Sequence, residues 1–424
     1  MPGEDTFRTV EFVTILLGAA AILALISRRF GFPYTVVLVL FGLGVAAFVP
    51  QMAFEITPEL VLVVLLPALV FEAAYQTDFG HLRQTGAGIA LLAIPGVLIS
   101  AGVVAVVIHY ATALPIELAF VIGAMVSATD PVAVIATFRR LGAPRALTTL
   151  VEGESLFNDG TAIVVFTIAL RAVEGEVTIA DAIGGFTVTV LISLALGGVM
   201  GFVASRVVAR VDDHLIETTL SLVLAYGTYI LADLLHQSGV IATVVAGITL
   251  GTYGRRIGMS ARTQEALDTV WEVLAFILTA LAFLLVGLVI TVGGLVAAAV
   301  PIAWGIAAVL VGRALVIYGL LGGAARLTGP KRRGLERGWL HVLFWSGLRG
   351  AVAVALALSL PENFPQRDLV QSVTFGITLF TLIAQGGTIG WVVRRALGPE
   401  ARSGPTPPSA TSPISPPGRL GNRR

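Results

Sequence analysis

Cysteine is absent from the 424 residues, which excludes disulfides, thiolate metal sites and thiol redox chemistry. Charged residues make up only 12% of the chain, and 27 Lys and Arg against 26 Asp and Glu leave a net charge of +1. Such a balance gives no global nucleic-acid footprint, and no basic stripe is interleaved with aromatic residues. No Gly-x-x-x-x-Gly-Lys-Ser/Thr loop occurs, which argues against an ATP-driven pump.

Histidine is also scarce, with five residues in the chain. They lie near the ends of apolar runs and form no ligand pair at helical spacing, so neither a metal centre nor a cofactor is predicted. Apolar residues are in excess instead: 56% of the chain is hydrophobic, and the mean hydropathy is +0.91. These values are typical of polytopic membrane proteins. The histidines are His81, His109, His214, His236 and His341.

Long apolar runs dominate the chain, and a helix needs about 20 apolar residues to cross a bilayer. The runs and their polar or Pro/Gly breaks predict an all-α polytopic membrane protein with about thirteen transmembrane helices. The second and ninth runs are short. The runs are 10–27, 34–50, 59–75, 86–108, 116–138, 150–171, 182–207, 215–235, 239–253, 268–290, 294–320, 339–359 and 369–393.

The distribution of Lys and Arg predicts the orientation in the membrane. Of the 27 basic residues, 22 follow odd-numbered runs or lie in the tail. Only Arg8, Arg171 and Arg367 lie on the opposite side, while Arg313 and Arg349 fall inside runs. The positive-inside rule then places the N-terminus outside and the C-terminus in the cytoplasm, in the cell inner (plasma) membrane. Residues 399–424 are rich in Pro and Ser and predict a disordered cytoplasmic tail.

An acid and a helix breaker stand together in the fifth run, at Asp130 and Pro131. An Asp at the centre of a membrane helix costs roughly 2.5–3.5 kcal/mol, against a few tenths gained per Leu or Val. Because proline removes a backbone donor, the run is expected to break into two half-helices whose ends face a cavity. Buried carboxylates beside an interrupted helix are typical of a cation or proton path. The alternative is that Asp130 caps a helix starting with Pro131 at the membrane edge.

The sixth run supplies further polar side chains. Ser155 and Asp159 are four residues apart and share a helix face, as do Glu154 and Asn158. The first pair offers hard oxygen ligands for a small cation. A buried Glu154 needs a partner, and Arg349 is the predicted one because a lone buried guanidinium cannot deprotonate. The glycines around Arg349 predict an interrupted twelfth run, so that two inverted six-helix repeats would each carry one broken helix.

Three other acids fall near the ends of runs, and Arg313 falls inside one. Glu72 either extends the site through water or is an interfacial acid, and both interpretations stay open. Asp233 and Glu272 are interpreted as span-end residues. Arg313 is expected to extend its head group to the cytoplasmic interface.

Motifs in four runs resemble the monovalent cation:proton antiporter-1 family, whose bacterial and archaeal members are sodium/proton exchangers. The likeness covers nearly the whole chain. One departure is Thr279, at a place where Asn is expected. The motifs are Leu65 to Glu72, Thr129 to Val132, Gly153 to Gly160 and Gly347 to Val352.

The resemblance implies a homodimer in the lipid membrane, with thirteen spans within residues 1–398. Runs 4–6 and 11–13 would form a transport bundle that moves against a scaffold of runs 1–3 and 7–10. It also implies a cation site and its supports, and a Glu154–Arg349 ion pair. The site would consist of Asp130, Asp159, Ser155, the Thr129 backbone and nearby Glu72, supported by Asn158 and Pro131.

Two carboxylates about 4 Å apart repel by roughly 4 kcal/mol at an effective dielectric near 20. An empty Asp130/Asp159 site is therefore expected to hold a proton, which a bound cation replaces. Such competition with alternating access is sufficient for secondary antiport of a monovalent cation against H⁺, and the resemblance implies Na⁺, with Li⁺, as that cation. Because the Asn158 amide is uncharged, a 1:1 electroneutral exchange is expected.

Three alternatives stay open. A potassium/proton antiporter would use the same oxygen ligands in a slightly different cavity. An ion channel would need a continuous pore, and neither a pore-lining repeat nor a carbonyl filter motif is evident. An intramembrane aspartyl protease also uses two membrane carboxylates, but its Gly-x-Gly-Asp motif is missing. The chain is therefore predicted not to be an enzyme.

Overall fold

Helices form all of the regular structure in the described residues, which are 2–30, 32–48, 57–77, 79–175, 178–327 and 337–397 of a computed structural model. The predicted all-α class is confirmed for these ranges. The helices are α1 Pro2–Phe30, α2 Tyr34–Phe48, α3 Leu60–Gln76, α4 Phe79–Thr112, α5 Ile116–Met125, α6 Val132–Leu141, α7 Arg145–Val173, α8 Ile179–Val208, α9 His214–Leu234, α10 Gly239–Thr249, α11 Ala261–Val289, α12 Val292–Ala297, α13 Ala299–Arg326, α14 Arg337–Trp345, α15 Ala351–Leu358 and α16 Arg367–Leu397.

Each predicted apolar run lies on one helix or on a pair of short helices. In the described ranges seven helices, α4, α7, α8, α9, α11, α13 and α16, are long and apolar enough to cross a membrane. Helices α2, α3 and α5 are shorter and apolar. The count of thirteen crossings, their orientation and the inverted repeat stay predictions. The predicted tail at 399–424 lies outside the described residues.

Two runs are interrupted, as their sequences predict. Helix α5 ends at Met125 and α6 begins at Val132, while α14 ends at Trp345 and α15 begins at Ala351. Proline 131 has no N–H to continue the first helix, and the Gly-rich segment before Ala351 favours extended backbone in the second. Helices α3, α4, α13 and α16 each contain a π-helical turn, and a further one, Leu250–Gly254, follows α10. The turn in α4, Leu92–Gly96, surrounds Pro95.

Small residues allow the helices to approach closely. A Cβ atom on Gly42 of α2 would lie 3.0 Å from the Gly287 Cα of α11, so the two backbones touch at paired glycines. Between lipid-embedded helices, such contacts favour association through van der Waals packing. Helix α11 also forms one wall of the cavity described below, so this crossing fixes the position of that wall. The division into transport bundle and scaffold stays a prediction.

Candidate cation site

The two interrupted segments meet and share hydrogen bonds. The Asp130 N–H donates to the Leu348 carbonyl at 2.8 Å. In the other direction, the Arg349 Nη1 donates to the carbonyls of Ser127 at 3.0 Å and Ala128 at 3.2 Å. The unpaired carbonyls at the end of α5 thus receive a guanidinium, which also opposes the negative end of the helix dipole. At this crossing each break thus provides hydrogen-bond partners for backbone groups of the other.

Helix α7 holds the first break through Thr129. The Asn158 Oδ1 accepts from the Thr129 N–H at 3.2 Å, and its Nδ2 donates to the Thr129 Oγ1 at 2.6 Å. The Ser155 hydroxyl donates to the Thr129 carbonyl at 2.6 Å. Asn158 and Ser155 lie three residues apart on one face, which explains why both reach the same residue. Backbone and side chain of Thr129 are therefore fixed by α7.

Asp130 has a second role beside its place in the cavity. Its Oδ1 accepts from the Val132 N–H at 2.9 Å, so the carboxylate caps the start of α6 after Pro131. The capping hydrogen bond of the alternative interpretation is therefore present. However, this cap lies at the crossing of the two interrupted helices, where the neighbouring Thr129 is buried. The alternative had placed it at an isolated helix end.

A cavity of about 130 Å³ brings the predicted side chains together. Asp130, Asp159, Ser155 and Glu72 all line it, as does Glu152, and Thr279 lies in its α11 wall. Asp130 and Asp159 are close enough to interact electrostatically. Thr129 reaches the same place through its hydrogen bonds to Ser155.

The site combines two carboxylates and a hydroxyl, which are hard oxygen ligands that suit a small cation. In the described part of the chain no group of three His, Cys, Asp or Glu side chains is arranged to hold a metal ion. Two carboxylates that repel each other hold either a proton or a cation, because each relieves the repulsion. The arrangement can therefore exchange the two ions at one place.

The predicted ion pair between Glu154 and Arg349 is wrong. Glu154 pairs with Arg313 instead: Arg313 Nη1 donates to Glu154 Oε1, and Nη2 to Oε2 at 3.0 Å. The side chains are 3% and 6% exposed, so the pair is buried. Arg313 also donates to the Leu343 carbonyl of α14 at 2.8 Å, which corrects the expectation that its head group extends to the interface. Arg349 uses backbone carbonyls as its acceptors.

Sequence reasoning missed Glu152. Its spacing carried the signal, because Glu152, Ser155 and Asp159 follow the i, i+3, i+7 pattern of a single helix face. The other two acids, Asp233 and Glu272, are exposed and do not line the cavity. Their interpretation as span-end residues stays a prediction.

Gly350 offers a test of how tightly Asp130 is held. A Cβ atom at Gly350 would lie 2.5 Å from the Asp130 Cβ and 2.6 Å from its Cγ. We expect Gly350→Ala to displace the Asp130 carboxylate and to reduce cation-driven exchange at least tenfold, since a 1 Å displacement at a reacting site can cost that much. Gly387→Ala is the control, because nothing lies within 4 Å of that Cβ position. Exchange rates in proteoliposomes decide, and equal rates in the two variants would contradict a tight contact.

Comparison with known proteins identifies the family. A family model described as sodium/hydrogen exchanger, transmembrane, matches residues 13–395. The chain belongs to the sodium/hydrogen exchanger family. This membership confirms the resemblance found in the motifs and makes the protein a transporter, not an enzyme.

Relatives of the exchanger family align over most of their length. The chain is 40% identical to the Na⁺/H⁺ antiporter ApNhaP of Aphanothece halophytica over 396 residues, which cover 92% of this chain and 75% of that protein. It is 38% identical to the Na⁺/H⁺ antiporter NhaP of Pseudomonas aeruginosa, covering 80% and 81%. Its fold is similar to that of the sodium proton antiporter MjNhaP1 from Methanocaldococcus jannaschii, with a TM-score of 0.76, 18% identity, and coverage of 93% and 99%.

Proposed function

We propose that this protein exchanges Na⁺ for H⁺ across the cell inner membrane, at the cavity lined by Asp130 and Asp159. The observation that carries the proposal is the shared cavity of two carboxylates beside two interrupted helices. Relatives at 40% and 38% identity are named Na⁺/H⁺ antiporters, which supports sodium as the cation. Li⁺ would follow the same path.

The proposed cycle uses competition and alternating access. With the cavity open to one side, a proton binds the repelling Asp130 and Asp159 pair. After the cavity opens to the other side, a cation displaces that proton, with Ser155 and the Thr129 backbone as neutral oxygen ligands. Because one occupant excludes the other, transport of each ion in one direction requires the other ion in return. Runs 4–6 and 11–13 would move as a bundle against a scaffold of runs 1–3 and 7–10 in a homodimer.

Both buried arginines have partners other than the two aspartates. The Glu154–Arg313 pair cancels its own charge, while Arg349 faces the carbonyls at the end of α5. Neither arginine has a direct hydrogen bond to Asp130 or Asp159 among the described contacts. The exchanging charges are thus those of the two aspartates, and Asn158 adds none.

Cation selectivity is tested by adding Na⁺, Li⁺ and K⁺ in turn to everted vesicles that hold a proton gradient and a pH-sensitive dye. We expect Na⁺ and Li⁺ to dissipate the gradient and K⁺ to have little effect. A response to K⁺ alone would favour the potassium/proton alternative. A steady single-channel current in a planar bilayer would instead favour a channel.

Stoichiometry gives a separate prediction. One titrating aspartate pair, with an uncharged Asn158 beside it, exchanges one cation for one proton without net charge movement. We expect the exchange rate in proteoliposomes to stay constant when the membrane potential is clamped at different values under a fixed pH gradient. At about 2.3 kcal/mol per charge per 100 mV, an electrogenic cycle would respond strongly, and such a response would contradict the 1:1 ratio.

A further inference from the structure

A hydroxyl group of α16 holds the backbone of the second break. The Thr381 Oγ1 accepts from the Arg349 N–H at 3.0 Å and donates to the Thr378 carbonyl, also at 3.0 Å. Thr381 is 1% exposed and is the first residue of the π-helical turn Thr381–Gly386. Because the hydroxyl proton is directed to a carbonyl of its own helix, the oxygen presents a lone pair to Arg349. Helix α16 therefore fixes both the place and the direction of this acceptor.

The bonded N–H belongs to the peptide group between Leu348 and Arg349. The carbonyl of the same peptide group, that of Leu348, accepts from the Asp130 N–H at 2.8 Å. A peptide group is planar, and in the trans form its carbonyl and N–H point in opposite directions. One rigid group thus joins Thr381 on one side to Asp130 on the other. A rotation that breaks one of these hydrogen bonds also misdirects the other.

The same segment touches the Asp130 side chain. A Cβ atom at Gly350 would lie 2.5 Å from the Asp130 Cβ, so the backbone of the second break lies directly against this aspartate. Residues 347–350 lie outside α14 and α15, and helical hydrogen bonds do not hold the peptide group between Leu348 and Arg349. The place of the Asp130 carboxylate therefore depends on the contact between Arg349 and Thr381.

The first break is supported in a similar way from α7. There Ser155 and Asn158 bind the backbone of Thr129, the residue before Asp130. The two supports act on consecutive residues: α7 holds Thr129, and α16 holds the acceptor of the Asp130 N–H. The aspartate is thus fixed from two helices that lie on different sides of the crossing.

We propose that Thr381 is a positioning residue of the exchange site, which fixes the peptide group between Leu348 and Arg349 and through it the orientation of Asp130. The inference rests on the proposed function, in which Asp130 binds the cation. Without the hydroxyl, the buried Arg349 N–H loses its acceptor, and the peptide group turns to find another. Asp130 then holds its binding orientation for a smaller fraction of the time, and the apparent affinity for the cation falls by that fraction.

The experiment measures the initial rate of H⁺ flux against Na⁺ concentration in proteoliposomes of the full chain, at fixed pH and zero membrane potential. We expect Thr381→Val, which keeps the shape of the side chain, to raise KM for Na⁺ at least about fivefold, which corresponds to about 1 kcal/mol. The maximal rate should stay within about twofold of the wild-type rate, because saturating Na⁺ selects the binding orientation. A residue that matters only for folding would instead lower the maximal rate at an unchanged KM.

Matched variants separate the hydroxyl from the volume of the side chain. Thr381→Ser keeps the acceptor and should keep KM within about twofold of the wild-type value. Thr381→Cys has the shape of the serine variant but only a weakly accepting thiol, so it should raise KM as the valine does. The serine and cysteine pair makes the same comparison without the valine variant. Thr374→Val is the control on the same helix, since the buried Thr374 hydroxyl donates to the Val370 carbonyl at 2.9 Å, and its KM should equal that of the wild type.

Amide hydrogen–deuterium exchange gives a readout that is independent of transport. In Thr381→Val the amides of Arg349 and Asp130 should both exchange at least about fivefold faster than in the wild type, because one peptide group connects them. Thr374→Val should change neither amide. Faster exchange at Arg349 with no change at Asp130 would show that the peptide group does not couple Thr381 to the site.

Failure of the inference is distinguishable from failure of the proposed function. Wild-type protein without Na⁺-dependent H⁺ flux would overturn the proposed function itself. Normal wild-type flux, combined with an unchanged KM in Thr381→Val and Thr381→Cys, would overturn only the positioning role of Thr381. A KM that rises equally in Thr381→Ser would show that the hydroxyl is not the group responsible, and would overturn the inference as well.

Discussion

Asp159→Asn is expected to reduce sodium-driven proton exchange to background while leaving the protein folded. An amide at this position cannot carry the proton or balance the charge of the cation, so both halves of the cycle lose their ligand. The change also removes the repulsion between Asp159 and Asp130, so the folded state should be at least as stable as in the wild type. Exchange is measured by dye dequenching in everted vesicles, and folding by thermal unfolding of the purified protein.

Asp233→Asn provides the matched control for this variant. Asp233 is exposed on α9 and does not line the cavity, so the same chemical change should leave exchange within twofold of the wild-type rate. Wild-type exchange in Asp159→Asn would remove the proposed site. Loss of exchange in both variants would show that carboxylates in general, and not this cavity, limit the rate.

Glu154→Gln is expected to lower the free energy of unfolding by about 3–5 kcal/mol, the cost of leaving a buried charge without its partner. The stranded charge is that of Arg313, whose side chain is 6% exposed and donates twice to Glu154. Its acceptors would then be the Leu343 carbonyl and the amide oxygen of the substituted side chain, neither of which carries a charge. Denaturant unfolding in detergent measures the change, with the exchange rate as an independent readout.

A second substitution identifies the partner. Arg313→Met in the Glu154→Gln background removes the stranded guanidinium and should recover most of the lost stability, since an apolar replacement of a buried pair is often neutral. Arg349→Met in the same background should not, because it leaves Arg313 unpaired and frees the carbonyls of Ser127 and Ala128. Recovery by Arg349→Met alone would contradict the observed pairing.

The partly exposed pair of Arg255 and Asp268 is the control for magnitude. Its side chains are 26% and 45% exposed, so water already solvates both charges. Asp268→Asn should therefore change the free energy of unfolding by no more than about 1 kcal/mol. A cost as large as that of Glu154→Gln would mean that burial is not what makes the latter expensive.

The interruptions were predictable from local sequence. Asp130 places a charge in an apolar run, and Pro131 removes a helical backbone donor at the same point. A continuous membrane helix is therefore disfavoured there. The same holds for the glycines around Arg349. The shared face of Ser155 and Asp159 followed from helical spacing alone. Local rules sufficed because each of these features concerns residues within one or two turns of each other.

The partner of Glu154 was not predictable in this way. Arg313 lies 159 residues further along the chain, and Arg349 fits the same charge requirement. Which of two buried arginines reaches a given carboxylate depends on how α7, α13 and α14 pack in three dimensions. The sequence indicates that a buried Glu154 needs a cationic partner. Whether that partner is Arg313 or Arg349 is decided by the tertiary structure. Glu152 differs, because its helical spacing from Asp159 was sufficient to predict that the two side chains share one helix face.

Reciprocal hydrogen bonds between the breaks at Asp130 and Arg349 limit how the molecule can cycle. If the segments separated, each would leave backbone groups without partners in a place that water does not reach freely. We therefore expect the four half-helices to move as one rigid body during transport, with the ion bound inside it. Access to the ion from either side of the membrane would then be opened and closed by the helices that surround this body. No opening within the body itself would be needed.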